Sequence, residues 1–249
     1  MNKFIVGLVK IARFLVRPFF PVKVYGERNI PNKKSLIVCN HVSGWDPVIF
    51  TMWMKNIIPF VYKAEFRKSK FLKWVFDGMD CIPVRRGEVD MTATKSILKL
   101  LKNDNAVCLY PEGTRNPNVD CLQEFHTGAA LFALKTKSSI RPMYIWDKTK
   151  FACKNYIIVG DELSLEEYYD QPINRKTLEE VTEIIKNKVD ELRIQLNKML
   201  DARGVKRRRR TKKELAKIQA YNEKKLAEQQ SSSSAENASH DDNSAGGEE

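Results

Sequence analysis

Long apolar runs are missing from this 249-residue chain. No uncharged stretch approaches the roughly 18 residues needed to cross a bilayer. No small-residue cleavage site follows the first apolar segment, so a secretory signal is not expected. Cysteine is scarce, with five residues: Cys39, Cys81, Cys108, Cys121 and Cys153. None forms a Cys-x-x-Cys pair, and the first three sit in apolar runs. They read as buried thiols of a reducing compartment, not as a disulfide framework or a zinc site. Only three histidines are present, in no cluster of ligand types, so neither a metal nor another cofactor is implied. Acidic charge is in the minority. Against 43 Lys and Arg stand 31 Asp and Glu, a net charge of +12 and a pI near 9.4. An anionic partner follows: membrane lipid, nucleic acid or a phosphorylated substrate.

The chain divides by composition into residues 1–21, 22–204, 205–230 and 231–249. In the first, Lys3, Lys10, Arg13 and Arg17 are spaced to share one face of a helix among apolar residues, and Pro18 and Pro21 end it. This predicts a basic amphipathic helix lying in the headgroup region of an anionic leaflet. The alternative is a helix packed on the domain's own core. Lys63 to Phe76 reads as a second helix that mixes cations with aromatics, which also suits a membrane interface.

The second region is organised around Asn40-His41-Val42-Ser43-Gly44-Trp45-Asp46-Pro47. Ser35 to Cys39, before it, is an apolar run of strand length. Pro47, after it, fits the start of a helix, with Asp46 at the N-cap. His41 then lies at the carboxyl end of a strand, where α/β sheets bind ligands. On one continuous helix His41 and Asp46 would be about 140° apart. They meet only if the chain turns back at Ser43-Gly44, and glycine suits such a turn. A carboxylate that meets the imidazole fixes its tautomer and leaves the other nitrogen to accept a proton. The pair would be a general base aimed at a hydroxyl. The plainer alternative is a helix cap beside an ordinary loop histidine.

Three later segments bear on that choice. Met79 to Val84 reads as a strand ending at Arg85-Arg86-Gly87, and two arginines there form a planar clamp suited to phosphate. Ala106 to Tyr110 is a buried strand running into Pro111-Glu112-Gly113-Thr114-Arg115. Gly113 lets the backbone approach a ligand, and its N–H could face an oxyanion. Ile140 to Trp146 is a further strand, around Pro142.

Taken together, His41 to Asp46, Ile82 to Arg86, Pro111 to Arg115 and Ile140 to Ile145 resemble the four ordered blocks of the glycerolipid acyltransferases. That family is typified by 1-acyl-sn-glycerol-3-phosphate acyltransferase. The resemblance covers roughly Val24 to Val159. It implies His41 and Asp46 as the catalytic pair, and Arg86, Glu112, Gly113, Thr114 and Arg115 as acceptor-binding residues. It implies acyl transfer from acyl-CoA or acyl carrier protein to lysophosphatidate, giving phosphatidate at the cytoplasmic face of a membrane, with no nucleic-acid partner. Many members carry Lys where His126 stands.

The fold expected is a single α/β domain with a mixed, mostly parallel sheet of five or six strands flanked by helices. A long helix follows from about Asp170, closed by Gly204, with Val181, Ile185, Val189, Leu192 and Leu196 facing the sheet. Beyond it, Lys206 to Lys213 opens a basic tail that suits anionic lipid, RNA or plain solvation. From Ser231 the composition predicts disorder. Two other functions stay open: acylation of another lysophospholipid or of glycerol 3-phosphate, and a non-enzymatic protein that binds membrane or nucleic acid.

Overall fold

The computed structural model describes residues 1–30, 33–85, 87 and 90–241. One compact unit runs from Met1 to Lys206, and a second begins at Arg207.

The first unit is a three-layer α/β domain. Its sheet has the order β1 (Val22–Tyr25), β7 (Asn155–Val159), β6 (Ser139–Ile145), β2 (Ser35–Cys39), β5 (Ala106–Leu109). β2 runs parallel to both β5 and β6, and β7 is antiparallel to β6. A separate parallel pair, β3 (Val61–Lys63) and β4 (Ile82–Val84), continues the edge beside β5 through a bridge from Phe60 to Cys108. Among the described residues seven strands form, in two sheets rather than one.

β2 and β5 are buried on both faces, as continuous apolar runs in parallel sheets are. Their side chains alternate between two cores. Leu36 and Val38 point to the core covered by α4 (Met91–Lys102), α5 (Gly128–Thr136) and α6 (Arg175–Asp201). Ile37 and Cys39 point to the core covered by α1 (Lys3–Val16), α2 (Asp46–Trp53) and α3 (Lys70–Gly78). The expected face of α6, including Val181, Ile185, Val189 and Leu196, is buried in the first of these cores. Gly204 follows α6 at φ +68°, a left-handed conformation open to glycine.

Several expectations change. In α1 Lys3 and Lys10 stay exposed, but the other two cations turn inward. Arg13, 7 % exposed, donates from Nε to the Thr51 carbonyl at 3.0 Å, and its two terminal nitrogens reach the Lys55 and Asn56 carbonyls. Arg17 bonds the Met52 carbonyl at 2.9 Å and lies over the Trp53 ring. The reason is that the last carbonyls of α2 lack intrahelical donors, and guanidinium forks supply them. Ile5 and Val9 pack inward beside these arginines, while Phe4, Leu8, Ile11, Phe14 and Leu15 face out. The stretch expected to run as one helix from Lys63 breaks at Ser69, whose hydroxyl caps α3. Met54, Ile57, Ile58 and Phe60 are core, while Trp45, just before α2, is exposed. Cys39, Cys81 and Cys108 are buried, but Cys121 and Cys153 are exposed because they sit in loops outside the sheet.

In the second unit α7 (Lys212–Asp241) runs past Ser231, where composition predicts disorder. Helix propagation adds one hydrogen bond per residue fixed, so a started helix extends through Ser, Ala and Glu. Residues 242–249 lie outside the described residues. Among the described residues no helix is long and apolar enough to cross a membrane.

Candidate active site

β2, β5 and β6 run in the same direction, so their carboxyl ends share one edge, and β4 ends there too. His41 follows β2 at this edge and is 7 % exposed. Its Nδ1 lies 2.9 Å from Asp46 Oδ2, and Asp46 is fully buried. The same oxygen accepts the backbone N–H of Val42 at 2.7 Å and of Ser43 at 2.8 Å. Thr149, on the loop after β6, donates its hydroxyl to the other oxygen, Oδ1, at 3.0 Å. Four donors thus converge on one carboxylate. With Nδ1–H directed at Asp46, Nε2 is the nitrogen left to accept a proton.

This geometry corrects three details. Asp46 is not the N-cap of α2: Trp45 holds that place, and no side chain caps the helix. Both oxygens of Asp46 are already taken by the histidine loop and Thr149. Gly44 is not left-handed, since the turn is held by the Asp46 carboxylate and by the Asp46 N–H to Ser43 carbonyl bond. What glycine provides at 44 is room. The Arg115 Nη1 lies 3.6 Å from where a Cβ would stand. Third, the Gly113 N–H donates to the Tyr110 carbonyl at 3.0 Å and is therefore not an oxyanion donor. Gly113 is needed for a different reason. Its φ is +64°, and a Cβ would meet His126 Nε2 at 2.8 Å. His126 is exposed and folds over this turn.

The other residues of the Pro111-to-Arg115 block divide sharply. Thr114 and Arg115 are exposed, with Thr114 Oγ1 3.1 Å from Gln123 Oε1. Glu112 is buried, and no group closes a well-formed hydrogen bond on either carboxylate oxygen. Burial pushes its carboxyl up to about 8, and the nearby Asp46 carboxylate adds to this. The His41 and Gln123 backbone amides and Asn116 hold it back from rising further. Both Glu112 oxygens are thus buried beside the His41 backbone. Arg86 lies outside the described residues. Its neighbour Arg85 is exposed and bonds Asp90 through its backbone N–H at 3.1 Å.

Three supports were not read from the sequence. Thr149 is one. Tyr110 is another: its ring centroid lies 4.6 Å from that of His41. The third is Asn116, whose N–H donates to the His41 carbonyl at 2.6 Å. The sequence carried a signal for the last two, because both flank the Pro111-to-Arg115 block. Thr149 carried none.

A buried histidine–carboxylate pair at the carboxyl edge of a three-layer α/β domain is an arrangement that can serve as a general base. The Acyltransferase family model matches residues 21–146, and the chain belongs to that family. It is 30 % identical over 152 residues to the 1-acyl-sn-glycerol-3-phosphate acyltransferase of Borreliella burgdorferi, a match spanning 60 % of either chain. Over 192 residues it is 26 % identical to the Bacillus subtilis enzyme of the same name, covering 72 % of this chain and 91 % of that one. The crystal structure of the 1-acyl-sn-glycerophosphate acyltransferase from Thermotoga maritima has the same fold. Its TM-score is 0.55 at 22 % identity, over 76 % of this chain and 78 % of that one.

Proposed function

We propose that this protein transfers a fatty acyl group from a thioester to the sn-2 hydroxyl of 1-acyl-sn-glycerol 3-phosphate, making phosphatidate. The observation that carries this reading is the 2.9 Å contact between His41 Nδ1 and Asp46 Oδ2. His41 Nε2 accepts the acceptor's hydroxyl proton, and the alkoxide attacks the thioester carbonyl directly. Collapse of the tetrahedral intermediate breaks the C–S bond, and the thiolate takes the proton from the imidazolium. Asp46 stabilises that imidazolium while its own charge is met by three further donors. Arg115 and Arg86 meet the acceptor's phosphate in this reading, which the exposure of Arg115 beside Gly44 supports. Glu112 acts from below, supporting the histidine loop.

The enzyme works as a peripheral or monotopic protein on the cytoplasmic face of a membrane. An exposed apolar belt supports this. Phe71 and Phe4 flank Trp74, with ring centroids 6.2 Å from it in each case. Beyond the outer face of α1, Phe19 stacks on Phe151, and Phe20 touches both Phe151 and Trp45. Trp45 is 52 % exposed and directly precedes Asp46. Apolar surface of this extent marks an interaction site. It gives an amphiphilic acceptor and an acyl donor, acyl-CoA or acyl carrier protein, a short path from the lipid phase to His41.

The test is thiol release from oleoyl-coenzyme A, or from an oleoyl acyl carrier protein, with and without lysophosphatidate. Release requires the acceptor, and His41→Ala lowers turnover by roughly 10²-fold or more with the fold intact. Near-normal turnover in that variant would remove His41 from the chemistry.

A further inference from the structure

The basic segment ahead of α7 takes no part in the site described above. Seven of the eight residues from Lys206 to Lys213 are cationic. Lys206, Arg209, Lys212 and Lys213 are exposed. They stand at the amino end of a 30-residue helix, the positive end of its dipole. Cations there repel both one another and the helix terminus. Glu214 is the acidic residue of the first turn. It closes a capping box with Thr211: the Thr211 N–H donates to Glu214 Oε2 at 3.0 Å and the Glu214 N–H to Thr211 Oγ1 at 3.3 Å. Arg208 also pairs with Glu214 and holds its carboxyl down to about 2. That one carboxylate fixes the helix start and pairs with Arg208.

The first half of α7 is two-sided. Leu215, Ile218 and Leu226 fall on one side of the helix, with Asn222 among them and Lys225 beside Ile218, and Lys213, Lys217 and Lys224 fall on the opposite one. Leu215 and Leu226 are 53 % and 57 % exposed. A short apolar stripe beside dense positive charge matches a leaflet that offers acyl chains and anionic headgroups together. RNA would satisfy the cations and leave the stripe in water.

We propose that residues 206–226 form a second lipid contact that binds phosphomonoester headgroups, those of phosphatidate and lysophosphatidate, and so holds the enzyme on membrane rich in its own product. The inference rests on the proposed reaction for the identity of the lipid. A phosphomonoester carries between one and two negative charges near neutrality, more than a phosphodiester lipid, and arginine forks meet it in bidentate fashion. Retention by product keeps the enzyme where fresh acceptor of the same headgroup is also captured.

The test uses the full chain in a flotation assay with three vesicle types: phosphatidylcholine alone, with added phosphatidate, and with phosphatidylglycerol at the same mole fraction. The variant replaces Arg207, Arg209, Arg210, Lys212 and Lys213 with Gln, leaving the Arg208–Glu214 pair. Each cation near an anionic surface contributes about 1 kcal/mol. Phosphatidate therefore raises wild-type partitioning at least about tenfold over phosphatidylcholine, and the variant loses that increment but keeps its binding to phosphatidylcholine. Equal partitioning onto the two anionic vesicles would overturn the proposal. So would an undiminished increment in the variant, or a variant that loses binding to a single-stranded RNA probe but not to vesicles. Activity on a dispersed short-chain lysophosphatidate is measured in parallel. Its absence in wild type sinks the proposed reaction while leaving the flotation result to judge the lipid contact. Its retention in the variant shows that the fold and site survive.

Discussion

Thr149 and His41 hold opposite oxygens of the same buried carboxylate. Thr149 Oγ1 lies 3.0 Å from Asp46 Oδ1, and His41 Nδ1 lies 2.9 Å from Oδ2. The two residues come from loops at the ends of neighbouring parallel strands, β6 and β2. The Asp46 carboxylate thus spans two loops, and its orientation depends on both.

Thr149→Val keeps the shape and removes the hydroxyl, so Oδ1 loses a donor inside the protein. A hydrogen bond to a charged group is worth about 1.5–3 kcal/mol. Turnover falls roughly tenfold, and the pH profile of kcat moves because the imidazolium is less well held. Thr149→Ser restores both. A Val variant with unchanged turnover and profile would limit Thr149 to packing.

Asp46→Asn preserves the volume but removes the charge. The Val42 and Ser43 N–H groups hold the amide oxygen toward His41, so the imidazolium loses the carboxylate that stabilises it. Turnover falls by roughly 10²–10⁴-fold, the scale of losing general-base catalysis. The Michaelis constant for lysophosphatidate changes little, because Asp46 is buried away from the acceptor. Steady-state kinetics on the purified variant separates the two effects.

Glu112 makes stability depend on pH with a defined sign. Its carboxyl stands at about 8 in the folded protein against 4.5 ordinarily. Between these values the folded state holds a proton that the unfolded state releases. Stability contributed by the neutral form is complete below about 4.5 and is lost as pH rises through about 8. Glu112→Gln, neutral throughout, flattens this dependence and raises the melting temperature above wild type at pH 8.5. Thermal unfolding across the range checks it. Wild-type and variant curves that run parallel would show that Glu112 is charged in both states.

The site was legible where its chemistry is local. His41, Asp46 and the Pro111-to-Arg115 block stand in contiguous stretches whose residue types have few other uses together. The orientation of α1 was not legible in the same way. Four cations on one helical face read as facing lipid headgroups, yet Arg13 and Arg17 point inward because carbonyls at the end of α2 need donors. That demand belongs to another element and cannot be seen in residues 1–21. Thr149 escaped for a similar reason: a single threonine on a loop, 103 residues from the carboxylate it serves, has no periodicity or motif. The burial of Glu112 was not legible, since one strand end supplies both buried and solvent-facing neighbours.

Arg13→Met tests the inward reading of α1. Three carbonyls at and just beyond the end of α2 lose their donor, two of them only partly buried and open to water. The loss is about 2–3 kcal/mol by the scale of charged hydrogen bonds. It appears as a lower urea midpoint at constant slope. Arg13→Lys recovers only part, because one ammonium cannot span three acceptors as a fork does.

Gly78→Ala acts on the same helix from its other end. A Cβ at position 78 would stand 2.4 Å from Ile5 Cγ1 and 2.8 Å from Ile5 Cβ, too close for either side chain to keep its place. Ile5 is 1 % exposed in the core, and the Asn2 N–H to Gly78 carbonyl bond of 2.8 Å ties the same two segments. The added methyl therefore lifts the start of α1 from α3. Amide exchange in residues 3–12 speeds up, while exchange in β2 and β5 is unchanged. Turnover on a dispersed acceptor falls by less than tenfold, since Arg13 still anchors the far end of α1 on the helix that carries Asp46. Unchanged exchange in α1 would mean that Ile5 finds another rotamer and that the contact with Gly78 does not fix the helix.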